Sequence, residues 1–357
     1  MGSRLPVNPL IDGYLINYLL LAFLVTYPLS RFATGKLVKV LHRHGVLDQP
    51  NHRSSHARPV PRGGGIVVIG LLVLAWGHFG VLVPHVAPAL FTILGLALAL
   101  AAVSWIDDLR GLNPFSRLFY HAIAVAIGLW TLPDAPVFQG LVAPWIDDLM
   151  AALLWLWFVN LFNFMDGIDG ITGAETVAIG LGVTVIAALA NLGPDIALYG
   201  LTLVTITFGF LRWNWQPAKI FLGDVGSVPL GYLVGWLLLT LAAEGHWAPA
   251  IILPLYYLAD ATITLLQRLV RGEKIWLAHR SHFYQRATQN PGTHAGAVRR
   301  VNAANIALVI LAVVAAMYPE IAPLLLLFAG LIVAVLLWTF ANRPIKVPTS
   351  LSTPDKD

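Results

Sequence analysis

Oxygen-bearing side chains gather in three short stretches of the chain. The stretches are SWIDDLRGLNPFSR with Asp107 and Asp108, NLFNFMDGIDG with Asn160, Asn163, Asp166 and Asp169, and FLGDVGS with Asp224. Each adjoins an apolar segment, where a carboxylate is costly unless a cation, a metal ion or hydrogen-bond donors accompany it. Oxygen ligands suit a hard divalent cation, Mg²⁺ foremost, with Mn²⁺ as a substitute. The three stretches therefore predict a cation site.

Helical spacing supports this interpretation for the second stretch. Asn160, Asn163 and Asp166 follow one another at intervals of three, which places them along one face of a helix that can look into a cleft. The alternative is that they only cap and turn the chain. Thr172 and Glu175 have the spacing of a capping box for the next helix. Asp224 is equally compatible with a turn and with a metal ligand, and Ser227 could cap the helix that follows.

Basic side chains that could bind phosphate lie in separate loops. The candidates are Arg62 before three glycines, Arg117, and His279, Arg280 and His282 in LAHRSHFYQR. A glycine triplet can expose N–H groups to an anion, or simply provide a flexible lead into a helix. The histidine loop suits phosphate better than zinc, because the spacing is not that of a helical zinc motif and no cysteine is present. It could also lie on anionic lipid.

The elements that position these side chains are membrane spans. Of 357 residues, 58% are apolar and 11% charged, and the mean hydropathy is +0.75, whereas a soluble domain carries about 25% charged residues. About ten or eleven segments reach the ~20 apolar residues that a membrane helix needs. We therefore predict an all-α polytopic membrane protein. The predicted spans are 11–32, 64–84, 88–106, 118–133, 149–164, 172–191, 195–211, 228–243, 249–268, 303–318 and 321–341.

The distribution of charge predicts the orientation of these spans. With the N-terminus outside, Arg4 is the single outer residue among 22 Lys and Arg, and this asymmetry marks the other side as cytoplasmic. Insertion and anionic lipid explain the pI of 9.4 without nucleic acid. All three acidic stretches fall on the inner side. Asp147 and Asp148 fall outside and are predicted to lie in a solvated loop.

The chain is predicted to form one domain, residues 1–341, followed by a short polar tail, 342–357. No cysteine is present, so disulfides and thiolate metal sites are excluded. The first apolar run has no cleavage pattern and is expected to be a retained span. Asp260, alone within YYLADATITLL, is expected to support a basic partner from the same site.

Taken together, these motifs resemble the polyprenyl-phosphate N-acetylhexosamine-1-phosphate transferases, the membrane family of the WecA and MraY type. The resemblance covers about residues 45–290 and rests on DQPNHRSSHARPVPRGGGI, IDDLRGL, NLFNFMDGIDGI, FLGDVGSVPLGYLVG and the HRSH loop, in that order. It implies that polyprenyl phosphate attacks the β-phosphorus of a UDP-N-acetylamino sugar, with Mg²⁺, to release UMP. Within the family, the motifs most resemble those of the bacterial enzymes that start lipid-linked O-antigen and related glycans, the WbpL-like group.

The resemblance also implies residue roles. Asp224 matches the family's metal-coordinating Asp and Asn163 the Asn that assists it. Asp107 and Asp108 match a pair for which a base and a metal-associated role are both open. Arg117 stands where the family has a basic residue that contacts phosphate, often Lys.

Further roles follow from the two remaining motifs. Asp166 and Asp169 match the acidic positions of the NxxDGxDG motif, which serve nucleotide positioning and catalysis. His279, Arg280 and His282 match the basic loop beside the diphosphate and sugar. The sequence HRSHF replaces the triple histidine of the peptidoglycan branch, so a simpler UDP-amino sugar is expected as substrate.

The expected location is the bacterial inner membrane, with the active site facing the cytoplasm and polyprenyl phosphate as the lipid partner. A homodimer is left open. The chief alternative is a transporter whose intramembrane acids line a pathway, and Asp260 is the residue that best supports it. A CDP-alcohol phosphotransferase is less favoured, because its closely spaced Asp motif is missing.

Overall fold

The computed structural model describes residues 9–50, 58–274, 276, 279–288 and 294–342, and these are almost entirely helical. The helices are α1 (Pro9–Arg43), α2 (Gly65–Leu82), α3 (Ala87–Arg110), α4 (Pro114–Gly128), α5 (Pro144–Phe164), α6 (Ile171–Leu189), α7 (Pro194–Asn214), α8 (Asp224–Ala243), α9 (Trp247–Ile252), α10 (Leu255–Val270), α11 (Phe283–Ala287), α12 (His294–Met317) and α13 (Ala322–Ala341). Strands β1 (Leu47–Asp48) and β2 (Val60–Pro61) pair antiparallel. The predicted tail lies beyond the described residues, apart from Asn342.

The predicted all-α polytopic architecture is confirmed. Among the described helices, α2, α3, α5, α6, α7, α8, α12 and the segment Pro319–Ala341 are long and apolar enough to cross a membrane. The other three predicted spans correspond to α1, to the 15-residue α4 and to the pair α9 and α10. That last span is broken at Leu253 and Pro254, because proline removes a backbone donor and ends the preceding helix.

Helix α8 is the centre of the bundle. All its residues except Asp224 and Leu239 are buried, and it packs against α3, α5, α9 and α2. Outer helices such as α13 instead expose large apolar side chains, including Leu327, Leu331 and Val335, as expected of a surface that faces lipid. The first residue of α8 is Asp224, so the most enclosed helix of the fold begins at a candidate site residue.

Close backbone contact at the start of α8 fixes the chain around Asp224. Gly65 at the start of α2 lies so near Gly226 that a Cβ on either glycine would collide with the other's backbone. Gly223 has a φ of +77°, a left-handed value that favours glycine. The glycine-rich sequences around Arg62 and Asp224 therefore serve the approach of two helix N-termini.

Candidate functional site

The acidic stretches meet at one end of the bundle, around Asp224. Arg62 Nη2 lies 2.7 Å from Asp108 Oδ1 and 2.8 Å from Asp224 Oδ1. Arg117 Nη1 lies 3.2 Å from Asp107 Oδ2 and 3.6 Å from Asp224 Oδ2. Each oxygen of Asp224 is thus joined to another aspartate through a guanidinium. The sequence prediction that these loops converge on one side is confirmed.

The three carboxylates differ in how much of their hydrogen-bonding capacity is already taken. Asp108 accepts from the N–H groups of Asp224 (3.2 Å) and Val225 (3.0 Å), so it caps α8, and its side chain is 2% exposed. Asp107 accepts from Leu112 N at 2.5 Å and is 8% exposed. Asp224, at 19%, is the most accessible of the three. A ligand arriving from solvent therefore meets Asp224 first.

The glycine triplet after Arg62 does not form the anion-binding nest that its composition allowed. The N–H groups of Gly63 and Gly64 donate to Phe221 O, at 3.2 and 2.8 Å, and Gly65 N donates to Leu222 O at 2.9 Å. These bonds tie the loop before α2 to the loop before α8. The phosphate-binding expectation at this motif now rests on the Arg62 guanidinium alone.

A cleft of about 420 Å³ opens beside these groups. Its polar lining includes Asp107, Arg117, Asn160, Asn163 and Asp224, and the rest is largely apolar. A cavity with a charged end and apolar walls suits an amphipathic ligand, because the charged group and the hydrocarbon find separate surroundings.

The two asparagines of α5 have different partners. Asn163 Nδ2 donates to Ser227 Oγ at 2.8 Å, and Ser227 Oγ donates in turn to Gly223 O at 3.2 Å. Ser227 therefore lies within α8 and does not cap it, contrary to expectation; Asp108 does. Asn160 Nδ2 donates to Leu156 O at 2.7 Å, within its own helix. The amide oxygen of Asn163 has no hydrogen bond to a described residue in these contacts, whereas the side chain of Asn160 is also hydrogen-bonded to His121.

The two aspartates of the DGIDG segment have different surroundings. Burial, reinforced by the negative charges of Asp224 and Asp108, raises the pKa of Asp166 to about 7, although a hydrogen bond with Thr172 acts the other way. Asp169 is buried, accepts from Ala218 N at 3.0 Å and lies 3.4 Å from His294 Nδ1. Asp166 is therefore electrostatically coupled to the acid cluster, whereas Asp169 anchors neighbouring loops.

The predicted capping box of Thr172 and Glu175 is wrong. Thr172 Oγ1 lies 3.2 Å from Tyr257 Oη, and Glu175 Oε2 accepts from Asn305 Nδ2 at 2.7 Å. Both side chains point into helix contacts, because Gly170, with a φ of +81°, turns the chain immediately before α6. They hold helices together and leave the helix start uncapped by side chains.

Asp260 now has named partners. Its carboxylate accepts from Phe283 N and Tyr284 N, both at 3.1 Å, and lies 3.1 Å from His282 Nδ1. It thereby caps the short helix α11. The expectation of a basic partner is confirmed in His282, and the carboxylate that best supported a transporter is fully engaged in holding a loop.

The histidine loop stands beside the site rather than in its lining. His282 is 2% exposed and its ring stacks on His279, with the centroids 4.8 Å apart. Burial, then the charge of His282, lowers the pKa of His279 to about 4, so His279 is neutral at pH 7. Among the described residues that line the cleft, Trp276 comes from this loop and His279, Arg280 and His282 do not.

Helix α11 connects that loop to the NFMDG segment. Tyr284 Oη donates to Phe164 O at 3.0 Å, and a Cβ on Gly167 would collide with the Tyr284 hydroxyl group. Tyr284 therefore fixes the position of the histidine loop relative to the NFMDG segment, which carries Asp166.

The second aspartate pair needs a correction. Asp147 is only 4% exposed and accepts from Val137 N (3.0 Å) and Phe138 N (2.9 Å), whereas Asp148 is exposed. The predicted solvated loop is wrong for Asp147, because a carboxylate in the first turn of α5 can satisfy two loop amides. Its role is structural and lies away from the cleft.

The cleft residues that sequence reasoning did not single out include Ser104, His121 and Trp276. The signal for His121 was its spacing: it follows Arg117 by four residues, which places both on one face of α4. Trp276 carried no comparable signal, since it stands in a loop.

The sequence was compared with protein families and with curated proteins. Residues 90–242, which run from α3 to α8, match the family model described as glycosyl transferase family 4. A probable undecaprenyl-phosphate N-acetylglucosaminyl 1-phosphate transferase of Bacillus subtilis (strain 168) is 27% identical over 286 residues, 75% of this chain and 76% of the relative.

Two further relatives differ in the sugar that their names give, N-acetylglucosamine in one and N-acetylmuramoyl pentapeptide in the other. A decaprenyl-phosphate N-acetylglucosaminephosphotransferase of Mycolicibacterium smegmatis is 28% identical over 240 residues, 60% of this chain and 57% of the relative. A phospho-N-acetylmuramoyl-pentapeptide-transferase of Streptococcus sanguinis is 26% identical over 288 residues, 72% of this chain and 84% of the relative. The family model and these relatives support the predicted resemblance to the WecA/MraY-type family of membrane sugar-phosphate transferases.

Proposed function

We propose that this protein transfers an N-acetylhexosamine 1-phosphate from a UDP-N-acetylamino sugar to polyprenyl phosphate, releasing UMP and forming a polyprenyl-diphosphate sugar. The observation that carries the proposal is the arrangement at Asp224, whose two carboxylate oxygens are each bridged to another aspartate by an arginine. The relatives' names support a phosphosugar transferase with a polyprenyl phosphate acceptor.

The two arginines address the main obstacle to the reaction. Two anionic phosphates must approach, and fixed positive charges in a partly desolvated cleft offset their repulsion. Arg62 and Arg117 are each about one-third exposed at their side chains, so they can exchange an aspartate partner for a phosphate oxygen. Because the guanidinium group is forked, one arginine can also bind an aspartate and a phosphate oxygen at the same time.

A divalent cation fits the donor chemistry of the site. Mg²⁺ usually retains waters and binds through one or two carboxylates together with substrate phosphates. Among the described residues, no three His, Cys, Asp or Glu are grouped closely enough to hold a metal by themselves, so substrate phosphates and waters would have to complete the coordination. Asp224 and Asp107, with the amide oxygen of Asn163, would hold the ion, and Mn²⁺ could replace it. The bound ion would neutralise charge on the diphosphate and the departing UMP.

Proton transfer has a small part in this scheme. The second pKa of a phosphate monoester is about 6, so near neutrality much of the acceptor is already the dianion. For the remainder, Asp107 is better placed than Asp108 to accept a proton, because Asp107 lines the cleft, whereas Asp108 is 2% exposed and accepts two N–H groups at the start of α8. Asp166 and Asp169 would position the nucleotide side of the site, Asp166 directly and Asp169 through the loop that it anchors.

The membrane setting follows from the substrates. The lipid tail stays in hydrocarbon while the nucleotide arrives from water, so they meet at the ends of the spans. An apolar groove of about 450 Å³ lies between α5, α9, the second half of α8 and the loop 137–141. It lies farther from Asp224 along the bundle and offers a surface for the distal part of the tail. The basic loops share the end of the bundle that carries the site, which supports a cytoplasmic active site in a bacterial inner membrane.

Within the family, the HRSHF loop favours a simple amino sugar over a muramoyl pentapeptide. This supports a WbpL-like role in the first membrane step of O-antigen or a related cell-surface glycan. UDP-GlcNAc, UDP-GalNAc, UDP-FucNAc and UDP-QuiNAc are the substrates to compare. Arg280, which is exposed beside the stacked histidines, is the side chain of that loop best placed to reach the sugar diphosphate.

The experiment is UMP release by purified protein in detergent, given polyprenyl phosphate, each UDP-sugar and Mg²⁺. Asp224→Asn should lower turnover roughly 100-fold or more. Its melting temperature should stay close to that of wild type, because Asn keeps an oxygen that can accept from Arg62 or Arg117 and Asp224 accepts no backbone hydrogen bond among the described contacts. Asp148→Asn, at the opposite end of the bundle, is the matched control and should match wild type. Absence of UMP from wild type with every sugar tested would overturn the proposal.

A further inference from the structure

His121 is a buried polar residue with an incomplete set of contacts. It lies on α4, is 6% exposed and lines the cleft. Its ring lies against the side chain of Asn160, whereas its Nδ1 has no hydrogen-bond partner in the described part of the chain.

Such an atom is uncommon in a folded protein. Buried polar atoms are nearly always hydrogen-bonded, because leaving one unpaired costs its lost hydration. Of the buried side-chain atoms without a partner in the ranges that the structure describes, His121 Nδ1 is the one that belongs to a residue lining this cleft. A ligand that enters the cleft could complete its contacts.

The depth of His121 identifies which part of a ligand it meets. Helix α4 runs inward from Pro114, so His121 lies about 6 Å deeper than Arg117. Helix α5 ends at Phe164, so Asn160 lies about 4.5 Å deeper than Asn163. Ser104 on α3 likewise lies about 4.5 Å deeper than Asp107. His121, Asn160 and Ser104 thus form the innermost polar level of the cleft.

Around and beyond that level the cleft is lined by apolar side chains, among them Val103, Leu153 and Leu156. A nucleotide diphosphate has no apolar part that would match this transition. A phosphate monoester of a long isoprenoid does, since its charged group is joined directly to hydrocarbon. The boundary therefore suits the phosphate of the lipid acceptor.

We infer that His121, braced by Asn160, hydrogen-bonds the phosphate of the polyprenyl phosphate acceptor and fixes the depth at which it binds. This rests on the proposed function, and it adds a substrate-binding residue for one of the two substrates. The arginines and Asp224, nearer the mouth, then face the diphosphate of the nucleotide sugar.

The test compares His121→Leu, which removes the polar group, with His121→Gln, which keeps a donor and an acceptor. His121→Leu should raise the KM for polyprenyl phosphate roughly 10- to 100-fold, the effect of losing a hydrogen bond to a charged group, and leave the KM for the UDP-sugar within about twofold. His121→Gln should restore most of the affinity. His85→Leu, an exposed histidine at the opposite end, is the matched control.

Direct binding separates this inference from the proposed function. Fluorescent polyprenyl phosphate should bind His121→Leu more weakly than wild type in the absence of UDP-sugar, while polyprenol without phosphate should bind both proteins alike. Equal changes in both KM values, unchanged lipid binding, or an equal loss of polyprenol binding would overturn the role of His121. Wild-type protein that binds polyprenyl phosphate yet releases no UMP would refute the proposed function and leave the inference standing.

Discussion

Asp166 is a carboxyl group whose surroundings oppose its ionisation. Its pKa is raised to about 7 by burial and by the charges of Asp224 and Asp108, compared with about 3.9 in an unfolded chain. Between these values the folded protein holds a proton that the unfolded chain has released. Stability therefore falls as the pH rises from about 4 to 7, and the contribution levels off above that range.

Replacing Asp166 tests the predicted direction in which stability changes with pH. Asp166→Asn cannot ionise, so the melting temperature of the variant relative to wild type should rise between pH 5 and pH 8. Thermal unfolding measured in detergent with a chelator, which removes bound cations, reports the difference. Asp148→Asn, at an exposed position, should show no such trend. A difference that shrinks with rising pH would contradict the burial of an ionisable Asp166.

The roles of individual residues were less predictable than their convergence. Motif order and alternating spans sufficed to place Asp107, Asp108 and Asp224 together. They could not show that Asp108 caps α8, because that depends on which backbone N–H groups reach its carboxylate in three dimensions. Asp169 was likewise indistinguishable from Asp166 in sequence, and only the packing of Ala218 and His294 against it separates them.

Helix α11 shows how one element can organise a loop. Five residues form no stable helix alone, because the conformational entropy lost in forming the first turn outweighs the gain from its hydrogen bonds. Asp260 supplies what is missing by accepting two of the free N–H groups at the helix start and holding His282. Through Tyr284 the same helix contacts the NFMDG segment. We therefore expect a loss of order in α11 to alter the active site.

Asp260→Asn should loosen this element. One oxygen and the negative charge are lost, which we expect to lower the free energy of unfolding by about 1–3 kcal/mol. Hydrogen exchange at residues 283–287 should accelerate more than exchange in α8. The matched variant Thr264→Val removes a hydroxyl that makes one long bond of 3.4 Å to the same carboxylate and should have a small effect. Equal protection of residues 283–287 in wild type and Asp260→Asn would refute the capping role.

At the scale of the whole molecule, the site depends on helices that arrive from distant parts of the chain. Hydropathy was sufficient to predict the spans and, through alternation, the shared end at which α2, α3, α5 and α8 place their polar residues. It could not predict that α8 is central, because the mean hydropathy of α8, 1.7, lies within the range of the mostly exposed spans, 1.4 to 2.7. The polar contacts between spans, which the sequence did not reveal, determine how the helices are held in register.

Glu175 and Asn305 form one such contact, between α6 and α12. Both are buried, and Asn305 Nδ2 donates to Glu175 Oε2 at 2.7 Å. Since α6 begins directly after the DGIDG segment, the contact ties the acidic loop to the C-terminal helices. A carboxyl group within a span is costly unless it has a polar partner.

Asn305→Leu should therefore destabilise the protein by about 1–3 kcal/mol, because it leaves the buried Glu175 without its donor. Replacing both partners, in Glu175→Leu with Asn305→Leu, should recover much of the loss, since two apolar groups can pack where an unpaired polar group cannot. The double-mutant cycle, measured by melting temperature in detergent, gives the coupling between the two residues. Strictly additive losses would mean that the two side chains do not interact, and the link between the acidic loop and α12 would have to lie elsewhere.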